Sequence, residues 1–417
     1  MSDLHNRLLS SALDKDSNDL LAFKKQEFAM PADTIYLDGN SLGPLPNNAK
    51  KRVKQVVDKE WGEGLITSWN KHQWIDLPEQ TGNKIARLIG AEKKQVICCD
   101  SISVNLFKLV NAALQLNSPR SKVITTIDNF PTDGYMVQGI SALLGDQRCE
   151  LVSVEESAIL EALDSTTAVL LLTQINFRTG VKLDIELITK RAHDVGALVI
   201  WDLAHSAGVM PLQLDHWNVD FAVGCGYKFL NGGPGAPAFL YVAKRWHQDY
   251  QQPLQGWMGH SKPFAFSPDY QSAKGVQQNL VGTPSIVSMS LLDAALDVFM
   301  DVEIEQLFSK AQQLLNCFID AAGQLKTLEQ FNILTPVDEN HRGAQIALQH
   351  EHAYEICQAL IENGVIADFR APDILRLGFS PLFLSFTDIV NAAICLSDIM
   401  ISQQYLQPEF SVKQKVT

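Results

Sequence analysis

Short apolar runs alternate with stretches of helical spacing through the middle of this 417-residue chain. The runs "KVITTI" (122–127), "AVLLLTQI" (168–175), "ALVIWDLA" (197–204) and "FAVGCGY" (221–227) read as strands buried on both faces. "SVNLFKLVNAALQL" (103–116) and "DIELITKRAHDVG" (184–196) carry apolar residues three and four apart and predict helices, as do 48–63 and 78–90. Strands of this kind separated by helices predict an α/β fold with a mostly parallel sheet between helices. In such sheets ligands bind beyond the carboxyl ends of the strands. After Pro284 the texture changes. Helical stretches at 286–300, 303–325 and 351–363 enclose shorter strand candidates, "QIALQH" (345–350) and "ILRLGF" (374–379), which predicts a smaller α+β domain. At the start, 1–30 is amphipathic and helical, and "TIYLDGNSLGPLP" (34–46) reads as a short strand and a turn. The expected division is an N-terminal arm (1–45), a large domain (46–285) and a small C-terminal domain (286–417).

Composition narrows the class. Apolar residues make up 46% and charged residues 19%, as in ordinary globular chains. With 34 basic against 47 acidic residues the net charge is −13, which argues against nucleic acid and anionic membrane as partners. No run of 18 apolar residues predicts a membrane span. The opening "MSDLHNRLLSSALDKDSNDLLAF" has no basic segment followed by an apolar one, so a cytoplasmic protein is expected. Seven cysteines without a C-x-x-C pair predict reduced thiols. "HEH" (350–352) and His341 lack a spaced third ligand, and no metal is expected.

Chemistry concentrates at predicted strand ends. Asp202 closes one apolar strand, with His205 three residues on. Lys228 follows the next strand and faces a loop containing Gly232, Gly233 and Gly235. Phe130 and Asp133 follow the strand at 122–127. A lysine that forms a Schiff base with pyridoxal phosphate needs an acid on the pyridine nitrogen, an aromatic face over the ring, and a phosphate cup of backbone N–H groups at a helix N-terminus. Lys228, Asp202, Phe130 and the turn "DSISVNLF" (100–107) are residues of those types. Each also has a plain structural reading: a turn cap, a solvated charge, a core ring, a helix cap. Their joint order and placement favour the cofactor.

Eight segments, taken together, resemble the kynureninase family, pyridoxal-phosphate enzymes of the aspartate-aminotransferase fold. They are "YLDGNSLGPLP" (36–46), "SVNLF" (103–107), "NFPTDGY" (129–135), "WDLAHSAG" (201–208), "GCGYKFLNGGPGAP" (224–237), "GWMGH" (256–260), "GTPSI" (282–286) and "LRLGFSPLFLSF" (375–386). The resemblance implies that Lys228 is the Schiff-base lysine and Asp202 the partner of the ring nitrogen. It implies that Phe130 stacks on the ring, with Asp133, His205 and Thr173 beside the cofactor. Ile102 and Ser103 match the phosphate turn, and Tyr227 reaches the phosphate and serves as an acid–base group. Trp257 and Thr283 match positions that close the phosphate site from the neighbouring subunit. Arg376 matches the arginine that grips the substrate carboxylate, a task suited to its bidentate fork. The implied reaction is hydrolysis of L-kynurenine to anthranilate and L-alanine in tryptophan catabolism, by a homodimer with its active site at the subunit interface. Trp69, in "LITSWNKHQW", falls where an aryl-side wall is expected and would favour kynurenine over 3-hydroxykynurenine.

Three other readings are weaker. A cysteine desulfurase or related lyase of the same fold needs a cysteine on a mobile loop, whereas Cys317 and Cys357 stand in helix-like text. "GCGYKF" lacks the third glycine of a dinucleotide loop. A catalytically dead homologue used for binding is hard to square with Lys228, Asp202, Tyr227 and Arg376 standing together.

Overall fold

The computed structural model describes residues 3–414. In chain order the strands are β1 (Ile35–Tyr36), β2 (Val96–Cys98), β3 (Lys122–Thr126), β4 (Glu150–Val154), β5 (Thr167–Thr173), β6 (Leu198–Asp202), β7 (Phe221–Cys225), β8 (Ala238–Val242), β9 (Asn332–Ile333), β10 (Gln345–Gln349), β11 (Val365–Ile366), β12 (Asp368–Arg370) and β13 (Ile374–Gly378). The chain forms two compact units. The larger holds Asn48–Phe177 and Leu183–Asp297; the smaller holds the chain up to Asn47, Arg178–Lys182 and Val298 onward.

The larger unit is built on one seven-stranded sheet of order β2-β8-β7-β6-β5-β3-β4. β7, β6, β5, β3 and β4 run parallel, and β8 runs antiparallel to both its neighbours. This is the expected α/β class with a mostly parallel sheet. Every residue of β5, β6, β7 and β8 is buried, which is why those segments read as unbroken apolar runs. The helix Ile102–Leu116 packs on this core through Leu106, Leu109, Val110 and Ala113. The stretch 48–63 is an α-helix over Asn47–Gln55, then a π-helix over Val56–Trp61.

The boundary between the units falls after Asp297, not at 285. The helix Ile286–Ala295 stays with the larger unit because Lys84, in helix Leu77–Leu88, donates to Asp293 (3.0 Å to Oδ2) and Asp297 (2.8 Å to Oδ1). At Gly82 an added Cβ would lie 2.3 Å from the Val96 carbonyl oxygen, so that helix can sit against β2 only with glycine there.

The smaller unit has an antiparallel sheet of order β12-β13-β10-β9 and the parallel pair β1-β11. Its N-terminal segment is part of it, not a separate arm. β1 pairs with β11, and Asp16 accepts the backbone N–H groups of Phe386 (2.6 Å) and Thr387 (3.0 Å) at the start of helix Phe386–Ser402. Lys310 reaches Asp19 at 2.7 Å. Among the described residues no helix is long and apolar enough to cross a membrane.

Candidate active site

Three adjacent parallel strands end at one edge of the large sheet. β5 ends in Thr173, β6 in Asp202 and β7 in Cys225. Thr173 and Asp202 are register partners. The chain leaves β7 through Gly226 to Tyr227 and Lys228. At Gly226 a Cβ would lie 2.5 Å from the Pro237 carbonyl oxygen and 2.8 Å from Leu292, so only glycine lets this turn close against the approach to β8. The turn is tied by Gly232, whose N–H donates to the Gly226 carbonyl at 2.8 Å.

Lys228 Nζ lies 2.9 Å from His205 Nε2. It stands 5.9 Å from the centroid of the Phe130 ring and 6.0 Å from that of Tyr227. Phe130 is 43% exposed, and Phe177 packs edge-on against it at 5.2 Å.

Two carboxyls lie beneath. Asp202 is buried and Oδ1 accepts the Ala204 N–H at 2.8 Å. Burial pushes its pKa up to about 6, against the pull of the Lys228 charge. Asp133, in the first turn of helix Pro131–Leu144, is wholly buried. Burial, then the charge of Asp202, drives its pKa well above the ordinary carboxylate range. Its Oδ2 accepts from Asn129 Nδ2 at 3.2 Å, while Oδ1 is buried with no hydrogen-bond partner. Thr173 donates to Asn129 Oδ1 at 2.5 Å and so links the end of β5 to this loop.

Two helix N-termini meet at the rim. Ser101 caps helix Ile102–Leu116 by accepting the Val104 N–H at 3.3 Å, and Ser103 Oγ lies 3.2 Å from Thr132 Oγ1 in the first turn of the neighbouring helix. Free first-turn N–H groups and hydroxyls are what an anion binds. Ile102, Ser103, Phe130, Thr173, Asp202, His205, Tyr227 and Lys228 all line one cavity of about 260 Å³. Tyr227 is held as a phenol: burial first, then the nearby Cys225 and Asp202, push its pKa up.

The other residues singled out in the sequence stand elsewhere. Trp69 packs edge-on against Trp74 at 5.9 Å, and Trp74 donates to the buried Glu60 at 2.8 Å. Trp257 is 40% exposed and lies 5.7 Å from Phe264 and 6.5 Å from Phe266, and Thr283 is exposed. None of these three lines the cavity around Lys228. Arg376 belongs to the smaller unit and is buried there. It donates to the Asp368 carboxylate and to Ser41 Oγ at 2.8 Å, and Arg370 shares Asp368 at 2.8 Å. In that cluster burial, then the charge of Asp368, raises Asp38 to about 7. A wide groove of about 790 Å³ in the smaller unit, rimmed by Asp14, Lys15, Asp19 and Lys310, brings no comparable set together. Sequence reading did not single out Asn129 or Phe177. Asn129 stands inside a quoted segment as the first polar residue before Phe130, whereas nothing local marks Phe177.

A family model described as the kynureninase C-terminal domain matches residues 307–396. A kynureninase of Burkholderia mallei (strain SAVP1) is 44% identical over 411 residues, covering 97% of this chain and 99% of its own length. A kynureninase of Pseudomonas fluorescens is 40% identical over 406 residues, covering 96% and 98%. Among solved structures, an apo cysteine desulfurase from Thermococcus onnurineus NA1 superposes with TM-score 0.77 at 16% identity, covering 91% of this chain and 98% of that one. A mutant of C-DES with glycine covalently linked to its PLP cofactor superposes with TM-score 0.78 at 17% identity, covering 90% and 99%. At such low identity the structural likeness speaks to the fold alone, while the identity to the two kynureninases runs nearly end to end: the chain belongs to the kynureninase family.

Proposed function

We propose that this chain hydrolyses L-kynurenine to anthranilate and L-alanine with pyridoxal 5′-phosphate, as a cytoplasmic homodimer acting in tryptophan breakdown. The observation that carries the reading is the convergence of Lys228, Asp202, His205 and Phe130 on one cavity, in a chain 40–44% identical to kynureninases over nearly its whole length.

The residues present fit the cofactor. Asp202 is a buried carboxyl that gains its charge when a cation lies against it, as a protonated ring nitrogen would. Asp133 adds a second buried carboxyl, with one unpartnered oxygen, close enough to Asp202 and Lys228 to feel both charges. Phe130 lends the cavity a partly exposed aromatic ring, and Ile102, Ser103 and Tyr227 stand where a phosphate dianion would meet hydroxyls and helix-end N–H groups. Lys228 would hold the aldehyde carbon, with Thr173 and His205 against the ring. Trp257 and Thr283 face outward, as suits residues donated to the phosphate site of a second copy. When bound, pyridoxal phosphate supplies a conjugated ring that accepts the electron pair left at Cα.

The chain's own groups do the rest. Lys228, as a free amine, would take the Cα proton, and His205 at 2.9 Å keeps its nitrogen placed. Asp202 holds the proton on the ring nitrogen. Tyr227 stays protonated at neutral pH and is the favoured donor toward the substrate's γ-carbonyl oxygen. Water adds to the aryl ketone carbon and the Cβ–Cγ bond breaks. The water oxygen leaves in the anthranilate carboxylate, a proton ends on alanine Cβ, and Lys228 returns a proton to Cα. For the substrate α-carboxylate the resemblance names Arg376, whose guanidinium plane is set by Asp368 and Ser41. Trp69 lies outside this chain's cavity, and its place at the aryl end rests on the resemblance. The desulfurase reading is disfavoured, since Cys317 and Cys357 are buried within helices Ile304–Gln324 and Ala353–Glu362.

Three outcomes are expected. Cofactor-loaded protein releases anthranilate from L-kynurenine, followed by its fluorescence, and Lys228→Ala lowers the rate on the order of 10³-fold or more. Coloured, loaded protein that forms no anthranilate would remove the substrate assignment. Trp69→His shifts the ratio of kcat/KM toward 3-hydroxykynurenine by about tenfold, the scale of one reshaped pocket contact; an unchanged ratio means Trp69 does not touch the ring. Asp202 keeps its proton in the folded apoprotein up to about pH 6, against an ordinary 3.8. The fold therefore binds the extra proton, and this group's contribution to apoprotein stability is lost as pH rises through that window. Asp202→Asn should flatten the fall in apoprotein Tm between about pH 4 and 7, and a Tm profile identical to wild type would contradict the shift.

A further inference from the structure

Lys108 sits two turns into helix Ile102–Leu116 with no exposed surface, on a face whose neighbours Asn105, Leu109 and Ala112 are all buried. Packing alone would be served by an apolar side chain there, and a buried ammonium is costly unless it is paired. Its partners are specific. Nζ donates to the Asp100 carboxylate and to the Asn279 carbonyl at 2.5 Å, and lies 3.8 Å from Cys99 Sγ.

Asp100 is the residue immediately before the helix cap Ser101, and it lines the cavity beside Lys228. Its φ is +50°, a left-handed conformation that a residue with a side chain adopts at a cost. It is held from two sides. Its carbonyl accepts the Ala238 N–H at 3.0 Å, and its carboxylate accepts from Lys108. This bend aims the chain into the helix whose first residues, Ile102 and Ser103, form the anion turn.

The second partner leads to another part of the larger unit. Asn279 is buried, and its Nδ2 donates to Tyr250 Oη at 2.7 Å and to the Val276 carbonyl at 3.0 Å. Two residues on, the Val281 carbonyl accepts the Met258 N–H at 3.3 Å, and a Cβ at Gly256 would lie 2.0 Å from the same oxygen. Trp257 and Thr283 therefore flank a tightly joined pair of segments anchored at Asn279.

We propose that Lys108 is a positioning residue for the cofactor phosphate: its buried ammonium holds the Asp100 bend that presents Ile102 and Ser103, and fixes that bend to the segment carrying Trp257 and Thr283. The proposal rests on the cofactor reading given above. It makes the phosphate, not the ring, the part of the cofactor that senses Lys108.

The test is titration of apoprotein with pyridoxal phosphate and, separately, with pyridoxal, which lacks the phosphate. In Lys108→Met the dissociation constant for pyridoxal phosphate should rise about tenfold or more, the scale of a small misplacement of binding groups, while that for pyridoxal stays within about twofold. Glycine adopts the left-handed bend without cost, so Asp100→Gly combined with Lys108→Met should recover much of the lost affinity. A variant weakened merely through its core would lose both ligands together and gain nothing from glycine. Equal loss of the two ligands, or no loss of either, overturns the proposal. Should Lys108→Met not fold, Asp100→Ala, which removes the acceptor and disfavours the left-handed bend, carries the same comparison, with selective loss of pyridoxal phosphate supporting the proposal and its absence overturning it. A wild-type protein that does not prefer pyridoxal phosphate to pyridoxal overturns the cofactor reading itself, and this proposal with it.

Discussion

Two carboxyl groups buried at the end of one sheet set the terms for this site. Asp202 and Asp133 are buried, with little access to water, within reach of the Lys228 charge. A buried carboxylate without a compensating cation is unfavourable, and two of them close together more so. Both groups respond by holding their protons to higher pH than an exposed aspartate. The nearby Lys228 charge pulls both pKa values back down, but burial outweighs it.

The sheet makes this arrangement possible. β5, β6 and β7 are parallel, so their carboxyl ends deliver Thr173, Asp202 and the Tyr227–Lys228 turn to one edge. Gly226 permits the turn after β7 to close, and the loop after β3 brings Asn129, Phe130 and Asp133 alongside. The smaller unit solves a related problem in its own way. There Arg376 and Arg370 face Asp368, with Asp38 nearby, so a buried guanidinium keeps a carboxylate partner and a fixed plane.

Much of this was legible in the chain because burial on both faces writes itself as an uninterrupted apolar run. β3, β5, β6 and β7 were read in that way, and the strand-end residues Asp202 and Lys228 followed from them. β2, β4 and β8 were not anticipated. β2 has three residues, β4 is half exposed, and β8 follows a loop whose Gly235 and Pro237 mask its start. The π-helix at Val56–Trp61 was invisible to periodicity, because the residues that surround it act at a distance: Glu60 accepts from Arg52 and from Trp74, fourteen residues on. The bond from Thr173 to Asn129 spans 44 positions and the contact from Lys108 to Asn279 spans 171. No local pattern reports such partners. The family resemblance supplied residue roles that neither strand ends nor spacing could assign, Arg376 and Trp257 above all.

The claim on which the rest hangs is that Lys228 holds the cofactor above Asp202. Borohydride reduction of protein loaded with pyridoxal phosphate, followed by peptide mass mapping, tests it most directly. A single pyridoxyl group on Lys228 is the result predicted here. Label on another lysine, or loaded protein with Lys228 unmodified, would contradict it.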